Sequence, residues 1–391
     1  MNNKFLSAEE AGLRVSRLQK LMAENGFDAM VVSTNANVYY LTGCVFSGYV
    51  YIPAEGSEVY FVRRPVGLED SRVVYVKKPE QIVEKLQKME RSVPAKVAFE
   101  LDRLPYNEVL RLVKAFDCGD ALNCSPLLNE ARAVKTDYEV EKIRESGVRH
   151  AHVYNSISGV FRSGMTDYEL QIEMERLLRL DGCLGLFRIG GESMELFMGN
   201  VITGENADIP CPYDFAMGGE GMDPSLPVGC NGSVIRPGST LMVDMNGNFT
   251  GYMTDMTRSF YVGTLNKLAD KAHSLSIAIH NRLKTTMKPG TAAKDAYNEA
   301  MAMVEEAGLA EYFMGHRQQA GFIGHGVGIE VNEWPVIAPR SRHIIEKGNV
   351  IAIEPKFVIP GVGAVGIENT YVVTEEGLEC MTNFPEEITQ L

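Results

Sequence analysis

The stretch Leu241–Tyr261, reading LMVDMNGNFTGYMTDMTRSFY, most constrains what this chain can fold into. Two aspartates, Asp244 and Asp255, stand in runs of strand-forming residues on either side of Asn246-Gly247-Asn248-Phe249-Thr250-Gly251. A turn-rich segment between two such runs predicts a β-hairpin. A symmetric hairpin sets 244 opposite 255 and 246 opposite 253. Directly opposed side chains share a face, about 4.5–5.5 Å apart at Cβ. Two carboxylates so held repel by roughly 4 kcal/mol at an effective dielectric of about 20. A bound cation is the natural counterweight.

Three further segments carry the same kind of signal. Gly324-His325-Gly326-Val327-Gly328 sets one histidine among glycines, with backbone packed closely around it. The run lacks the Lys-Ser/Thr ending of a phosphate loop. Val350-Ile351-Ala352-Ile353-Glu354-Pro355 puts an acid at the end of a β-type run, and Val365–Thr374 holds Glu368 inside an apolar strand. Pro360-Gly361-Val362-Gly363 reads as the turn between them, and a symmetric pairing sets Glu354 opposite Glu368. Any one of these acids reads equally well as an edge-strand or salt-bridged residue. Four of them mid-strand, with a glycine-framed histidine, point to a shared site. Buried carboxylates need partners or metals. Five oxygen and nitrogen donors without thiolate suit two divalent ions such as manganese, cobalt, iron or zinc.

At 391 residues the chain is long enough for two domains. A formal charge of −13 argues against nucleic acid or an anionic membrane as partner. The start, MNNKFLSAEEAGLRVSRLQKLM, has no long apolar run, so neither a secretory signal nor a membrane span is expected. Seven scattered cysteines without a CxxC pair favour reduced thiols in a cytoplasm. The front, about 125 residues, alternates a helix over 8–25, a strand at DAMVVS, a strand hairpin around Glu55-Gly56-Ser57, a helix over 80–91, a strand over 96–100 and a helix over 106–115. Beyond Pro126 come a short helix over 127–133, a long one over 137–162 and a third with Thr166 as N-cap. His150 and His152 lie two apart on the long helix and so on different faces, as surface or packing residues. The Gly- and Pro-rich stretch Gly190 to Gly238 reads as a functional wall or lid. Helices over 265–286 and 292–308 follow the hairpin. The fold class is α/β (α+β), with a front domain over 1–130 and a metal-binding domain over 131–391.

The ordered set VDMNGNFTGYMTDMTR, GHGVG, IEP and GIENT, together with RLQKLMAENGFDAMVVSTNANVYYLTG at the front, resembles the pita-bread metallohydrolases: prolidase, aminopeptidase P, methionine aminopeptidase and creatinase. The resemblance implies a creatinase-type N-terminal domain followed by a pita-bread catalytic domain. It implies two divalent ions, manganese first, with cobalt, zinc or iron also suited. Asp244 would chelate the first, Asp255 and Glu368 would bridge, and His325 and Glu354 would bind the second. Glu354 would also assist as general base on a water between the ions. The implied activity is hydrolysis of small Xaa-Pro peptides, as dipeptidase or aminopeptidase, in a cytoplasmic homodimer. Tyr252 and Arg258 match the family as supports of the hairpin.

The departures are specific. Cys211-Pro212-Tyr213 stands where family members carry a PHY-type histidine, and Asn332 stands where a histidine precedes Glu333-Trp334-Pro335. Gly321 and Gly366 replace an often-found histidine and arginine, and no histidine occurs between 153 and 272. Asn332 is the candidate for the missing catalytic histidine, and Tyr213, Asp214 and Cys211 are candidates for substrate contact. The alternative is a non-peptidase metalloenzyme of the same fold, a C–N hydrolase or lyase acting on a small molecule. A non-catalytic binding protein is a third reading, which the intact set of acids argues against.

Overall fold

The computed structural model describes residues 5–190, 197–215 and 217–391. The first four residues of the apolar-poor start, and 191–196 and 216 within the Gly- and Pro-rich stretch, lie outside them. The chain divides into two compact units, Met1–Arg132 and Ala133–Leu391.

The front unit opens with the helix Ala8–Asn25, whose first turn is closed by Ser7 Oγ accepting from the Glu10 N–H and whose end turns at Gly26 in a left-handed conformation. The strand Ala29–Val32, buried throughout, runs between Ser47–Pro53 (antiparallel) and Val97–Phe99 (parallel) in a six-stranded sheet. Ser47–Pro53 and Val59–Arg64 form the hairpin expected around Glu55-Gly56-Ser57. Asn35–Thr42 is a helix that the sequence pattern did not reveal. The helix expected over 80–91 is shorter, a single 3₁₀ turn at Pro79–Gln81 and then Ile82–Lys88.

In the second unit the long helix runs Asp137–Tyr154, with a reciprocal cap between Thr136 and Glu139, and not to 162. Asn155 ends it by turning its amide back onto the carbonyls of Ala151 and His152, a side-chain competitor for the next helical turn. A short turn of helix follows at Ile157–Val160, then Asp167–Leu180, with Thr166 as N-cap. His150 is buried beneath the hairpin, with Nδ1 3.1 Å from Thr254 Oγ1, while His152 is exposed. Burial brings the His150 imidazole down to about 3, so it packs as a neutral ring.

The hairpin forms from Thr240–Asn248 and Met253–Tyr261, but one step away from the symmetric pairing. Asp255 lies opposite Asn246, and Asp244 opposite Thr257. The chain reverses over 249–252, where Gly251 takes φ 91° and the Asn248 carboxamide accepts from its N–H at 3.0 Å. The long helix fixes that turn: Ser146 Oγ accepts from the Phe249 N–H, and Thr250 Oγ1 donates to the Lys142 carbonyl. Asp244 and Asp255 are therefore diagonal neighbours, still on one face.

This hairpin belongs to a four-stranded sheet with Gly199–Thr203 and Thr389–Gln390. A five-stranded antiparallel sheet holds, in spatial order, Glu333–Ile337, Gly324–Gly326, Val350–Ile353, Asn369–Val373 and Leu378–Cys380. Between the sheets lies a second hairpin, Lys356–Ile359 with Gly363–Gly366. Its register, Lys356 opposite Gly366, continues the one that pairs Ile353 with Asn369, so Glu354 and Glu368 face each other at the junction as expected. Helices Lys267–Thr286 and Ala293–Glu306 cover the back of these strands with an apolar core of Ile279, Leu283, Ile351, Phe357 and Tyr371. Among the described residues no helix is long and apolar enough to cross a membrane.

Arg258 joins the two sheets. Its guanidinium, 2% exposed, donates to the carbonyls of Thr257, Glu368, Phe384 and Pro385 and to Asn369 Oδ1. Removing it strands several buried acceptors. Arg258→Ala is expected to lower the unfolding free energy by at least about 3 kcal/mol, read as an earlier urea midpoint.

Candidate metal centre

The acids reach one another because two sit on the hairpin strands and two face each other at the junction of the second hairpin with the five-stranded sheet. The hairpin contributes Asp244 and Asp255. The Asp255 backbone is clamped to the second sheet by Thr370, whose Oγ1 accepts from the Asp255 N–H at 2.8 Å and donates to its carbonyl at 2.9 Å. Thr257 and Glu368 exchange backbone hydrogen bonds, and Thr257 Oγ1 donates to Glu368 Oε2 at 2.8 Å. Asp244, Asp255, His325, Glu354 and Glu368 all line one cavity of about 720 Å³.

The glycines framing His325 have a packing reason. A Cβ on Gly324 would stand 2.5 Å from the Ala352 carbonyl oxygen, and one on Gly326 only 2.1 Å from that of Trp334. The histidine strand is thus pressed between two neighbours, which aims the ring into the cavity. Nδ1 lies 3.1 Å from the Gly326 carbonyl oxygen, as a donor, leaving Nε2 directed at the acids, 3.4 Å from Glu354 Oε1. The carbonyl selects the tautomer whose Nε2 lone pair can meet a cation.

In the midst of the acids lies a residue that the sequence reading passed over. Lys356, 1% exposed, places Nζ 2.9 Å from Asp244 Oδ2, 2.8 Å from Glu354 Oε2 and 2.9 Å from Glu368 Oε2. The signal for it was present: a lysine two residues after Glu354 in the apolar run IAIEPKFVI shares that acid's strand face. It also lies directly across from Gly366, the position where the resemblance implies an arginine.

The electrostatics follow from this packing. Burial alone would favour a neutral lysine, but Asp244, Glu354 and Glu368 hold the ammonium well above its ordinary value. Burial alone would raise Glu354, yet the Lys356 charge and then His325 bring it down to about 2. Burial and then the Asp244 charge push Asp255 up to about 7. Burial, then Asp255 and Glu354, push Glu368 well above the usual carboxylate range. His325 rises to about 9: burial opposes its charge, but the hydrogen bond and charge of Glu354 prevail.

These residues fit a divalent ion at one place. Ligating atoms of Asp255, His325 and Glu368 lie within 4.8 Å of one another, and Glu368 Oε1 is buried with no hydrogen-bond partner. A buried carboxylate oxygen without a hydrogen-bond donor suits a cation. They do not fit a second ion in the same way. One oxygen each of Asp244, Glu354 and Glu368 is already held by an N–H bond of Lys356, whose ammonium stands where a cation between these three acids would lie.

Of the other candidates, Asn332, Tyr213 and Asp214 line the cavity and Cys211 does not. Asn332 uses both ends of its amide on Gly190, Oδ1 accepting from the N–H at 2.7 Å and Nδ2 donating to the carbonyl at 2.6 Å. Asp214 Oδ1 accepts from the Gly321 N–H at 3.0 Å. Glu333 is buried against Lys135 at 3.0 Å, away from the cavity lining. Phe187, Ile189, Phe197, Phe215 and Phe322 form an apolar wall. Among the described residues His325 is the single histidine of the lining. Because its aim depends on the pressed strand, Gly326→Ala should lower Mn²⁺ affinity by about tenfold or more and stability by about 1–3 kcal/mol, read by equilibrium dialysis and urea unfolding.

The Creatinase/Prolidase N-terminal domain matches residues 14–134, and Metallopeptidase family M24 matches residues 141–375. The Xaa-Pro dipeptidase of Pyrococcus horikoshii is 25% identical over 385 residues, covering 96% of this chain and 98% of that protein. The Xaa-Pro dipeptidase of Pyrococcus furiosus is 25% identical over 382 residues, covering 96% and 99%. The solved structure of the Xaa-Pro dipeptidase from Bacillus anthracis superposes with a TM-score of 0.79 at 24% identity, over 97% of this chain and 100% of that one, and shares the pita-bread fold. With its paired hairpins, glycine-framed histidine and catalytic-domain match over more than half its length, the chain belongs to metallopeptidase family M24.

Proposed function

We propose that the chain is a metal-dependent peptidase that hydrolyses Xaa-Pro bonds in small peptides. The observation that carries this reading is the convergence of Asp244, Asp255, His325, Glu354 and Glu368, from four separate segments, in the lining of one cavity that several phenylalanines also line. The name Xaa-Pro dipeptidase borne by relatives over nearly their full length supplies the substrate class and weighs against a C–N hydrolase or lyase. Manganese is the metal we expect, from oxygen-rich ligands with one imidazole. A homodimer in the cytoplasm, and a non-catalytic role for the front domain over 1–130, complete the reading.

A divalent ion held by this centre would supply Lewis acidity, activating water and drawing electron density from the scissile carbonyl. Everything else falls to the chain. Glu354 stays ionised and accepts the proton of the attacking water, although Lys356 makes it a weaker base than an unpaired carboxylate. The phenylalanine wall receives the apolar side chain and the proline ring. Tyr213 and Asp214 line the cavity, and the exposed Asp214 carboxylate suits a substrate's α-ammonium. Asn332 acts by holding Gly190 and so the cavity edge, in place of a catalytic histidine.

The two cations in the described lining, Lys356 and His325, are both engaged with carboxylates. Neither is available to a dipeptide's free carboxylate, which favours Xaa-Pro-Yaa peptides over Xaa-Pro dipeptides. Hydrolysis of both peptide classes by Mn²⁺-loaded protein tests this. Cleavage should vanish with a chelator and fall by roughly 10³-fold, about 4 kcal/mol, in Asp255→Asn. A metal-replete, folded protein that leaves every Xaa-Pro bond intact would refute the assignment. Asp214→Asn should raise KM by about tenfold, roughly one charge-assisted hydrogen bond, with kcat little changed.

A further inference from the structure

We infer that Lys356 is a built-in cation that takes the position of one of the two divalent ions, so that the centre binds a single ion, at Asp255, His325 and Glu368. The inference rests on the family assignment but concerns the number of ions and not the substrate. The Lys356 ammonium has three N–H bonds and meets three carboxylates at 2.8–2.9 Å, so no donor is left over. It enters from the strand Lys356–Ile359 on the face of Glu354, and the glycine across from it, Gly366, brings no side chain to that pairing. The strand is anchored on its far side by the Met314 N–H donating to the Lys356 carbonyl at 2.8 Å.

The opposite half of the acid cluster is left bare. Glu368 divides its two oxygens: Oε2 accepts from Lys356 and Thr257, and Oε1, fully buried, has no partner. Oε1 belongs to the carboxylate that gathers with Asp255 and His325 within 4.8 Å. Glu368 thus joins an ammonium on one oxygen to a candidate cation position on the other, which is the bridging role with one metal replaced by nitrogen. Charge supports a single ion. Four carboxylates against one ammonium and one divalent ion leave one residual negative charge. A second divalent ion would reverse the sign and force an ammonium against a metal in a dry site.

The test is metal content, independent of catalysis. Chelator-stripped full-length protein is dialysed against rising Mn²⁺ and bound metal is counted per chain. Wild type should saturate at one ion, and Lys356→Ala, which frees three carboxylates and the space of the ammonium, should reach two. Asp244→Asn, which touches only the lysine side, should keep one ion, and Asp255→Asn should lose it. The Asp244 and Asp255 pair carries the argument if Lys356→Ala does not fold. Two ions or none in wild type, or loss of the ion in Asp244→Asn with its retention in Asp255→Asn, would overturn the inference. Xaa-Pro cleavage with two ions bound would overturn it and keep the peptidase reading. One ion without cleavage would do the reverse.

Discussion

The catalytic unit is arranged around four carboxylates held close together, three of them buried and Asp244 partly exposed. Each close pair repels by roughly 4 kcal/mol at an effective dielectric of about 20, and burial adds a desolvation cost. The fold can keep such a cluster only if positive charge is supplied. Lys356 provides part of it from within the chain, already hydrogen-bonded to Asp244, Glu354 and Glu368. The remaining deficit is expressed by Asp255 and Glu368, whose carboxyls are pushed upward, and by the bare Glu368 Oε1.

The supports around the cluster are correspondingly rigid. Arg258 reaches from the hairpin to the Glu368 carbonyl and Asn369 Oδ1, Thr370 clamps the Asp255 backbone, and Thr257 is bridged to Glu368. None of these groups needs to touch a substrate. They hold strands at fixed offsets so that short carboxylate side chains, which cannot reach far, arrive together. His325 is aimed by the same means, with close backbone on either side and a carbonyl fixing its tautomer.

The lysine also bears on reactivity. A cation tethered to the chain does not dissociate, and it holds Glu354 ionised regardless of the metal supply. It makes that carboxylate a poorer proton acceptor at the same time. The departures at 211–213, 332 and 366 belong to the same pattern. No histidine stands at 211–213 or 332, phenylalanines line the cavity, and Asn332 is held to Gly190 beside it.

Much of this was legible in the sequence, because strand alternation and turn residues are local. The period-two pattern put acids on one face of two hairpins, and Thr166 marked the start of its helix. The order of the four segments carried the family. What local pattern could not fix was the register of the first hairpin. Phe249 and Thr250 look like the middle of a symmetric turn, but the reversal is centred one residue later, where Ser146 and Lys142 of a distant helix hold the loop. The end of that helix at Tyr154 was hidden likewise, since Asn155 can cap or continue. Lys356 was the larger omission. A lone lysine in an apolar strand reads as an edge residue until the opposing sheet brings Asp244, 112 positions away, to its ammonium. Sequence alone determined which residues carry charge and which strand face they share. Only the tertiary structure decided which charges meet, because that depends on contacts between segments far apart in the chain.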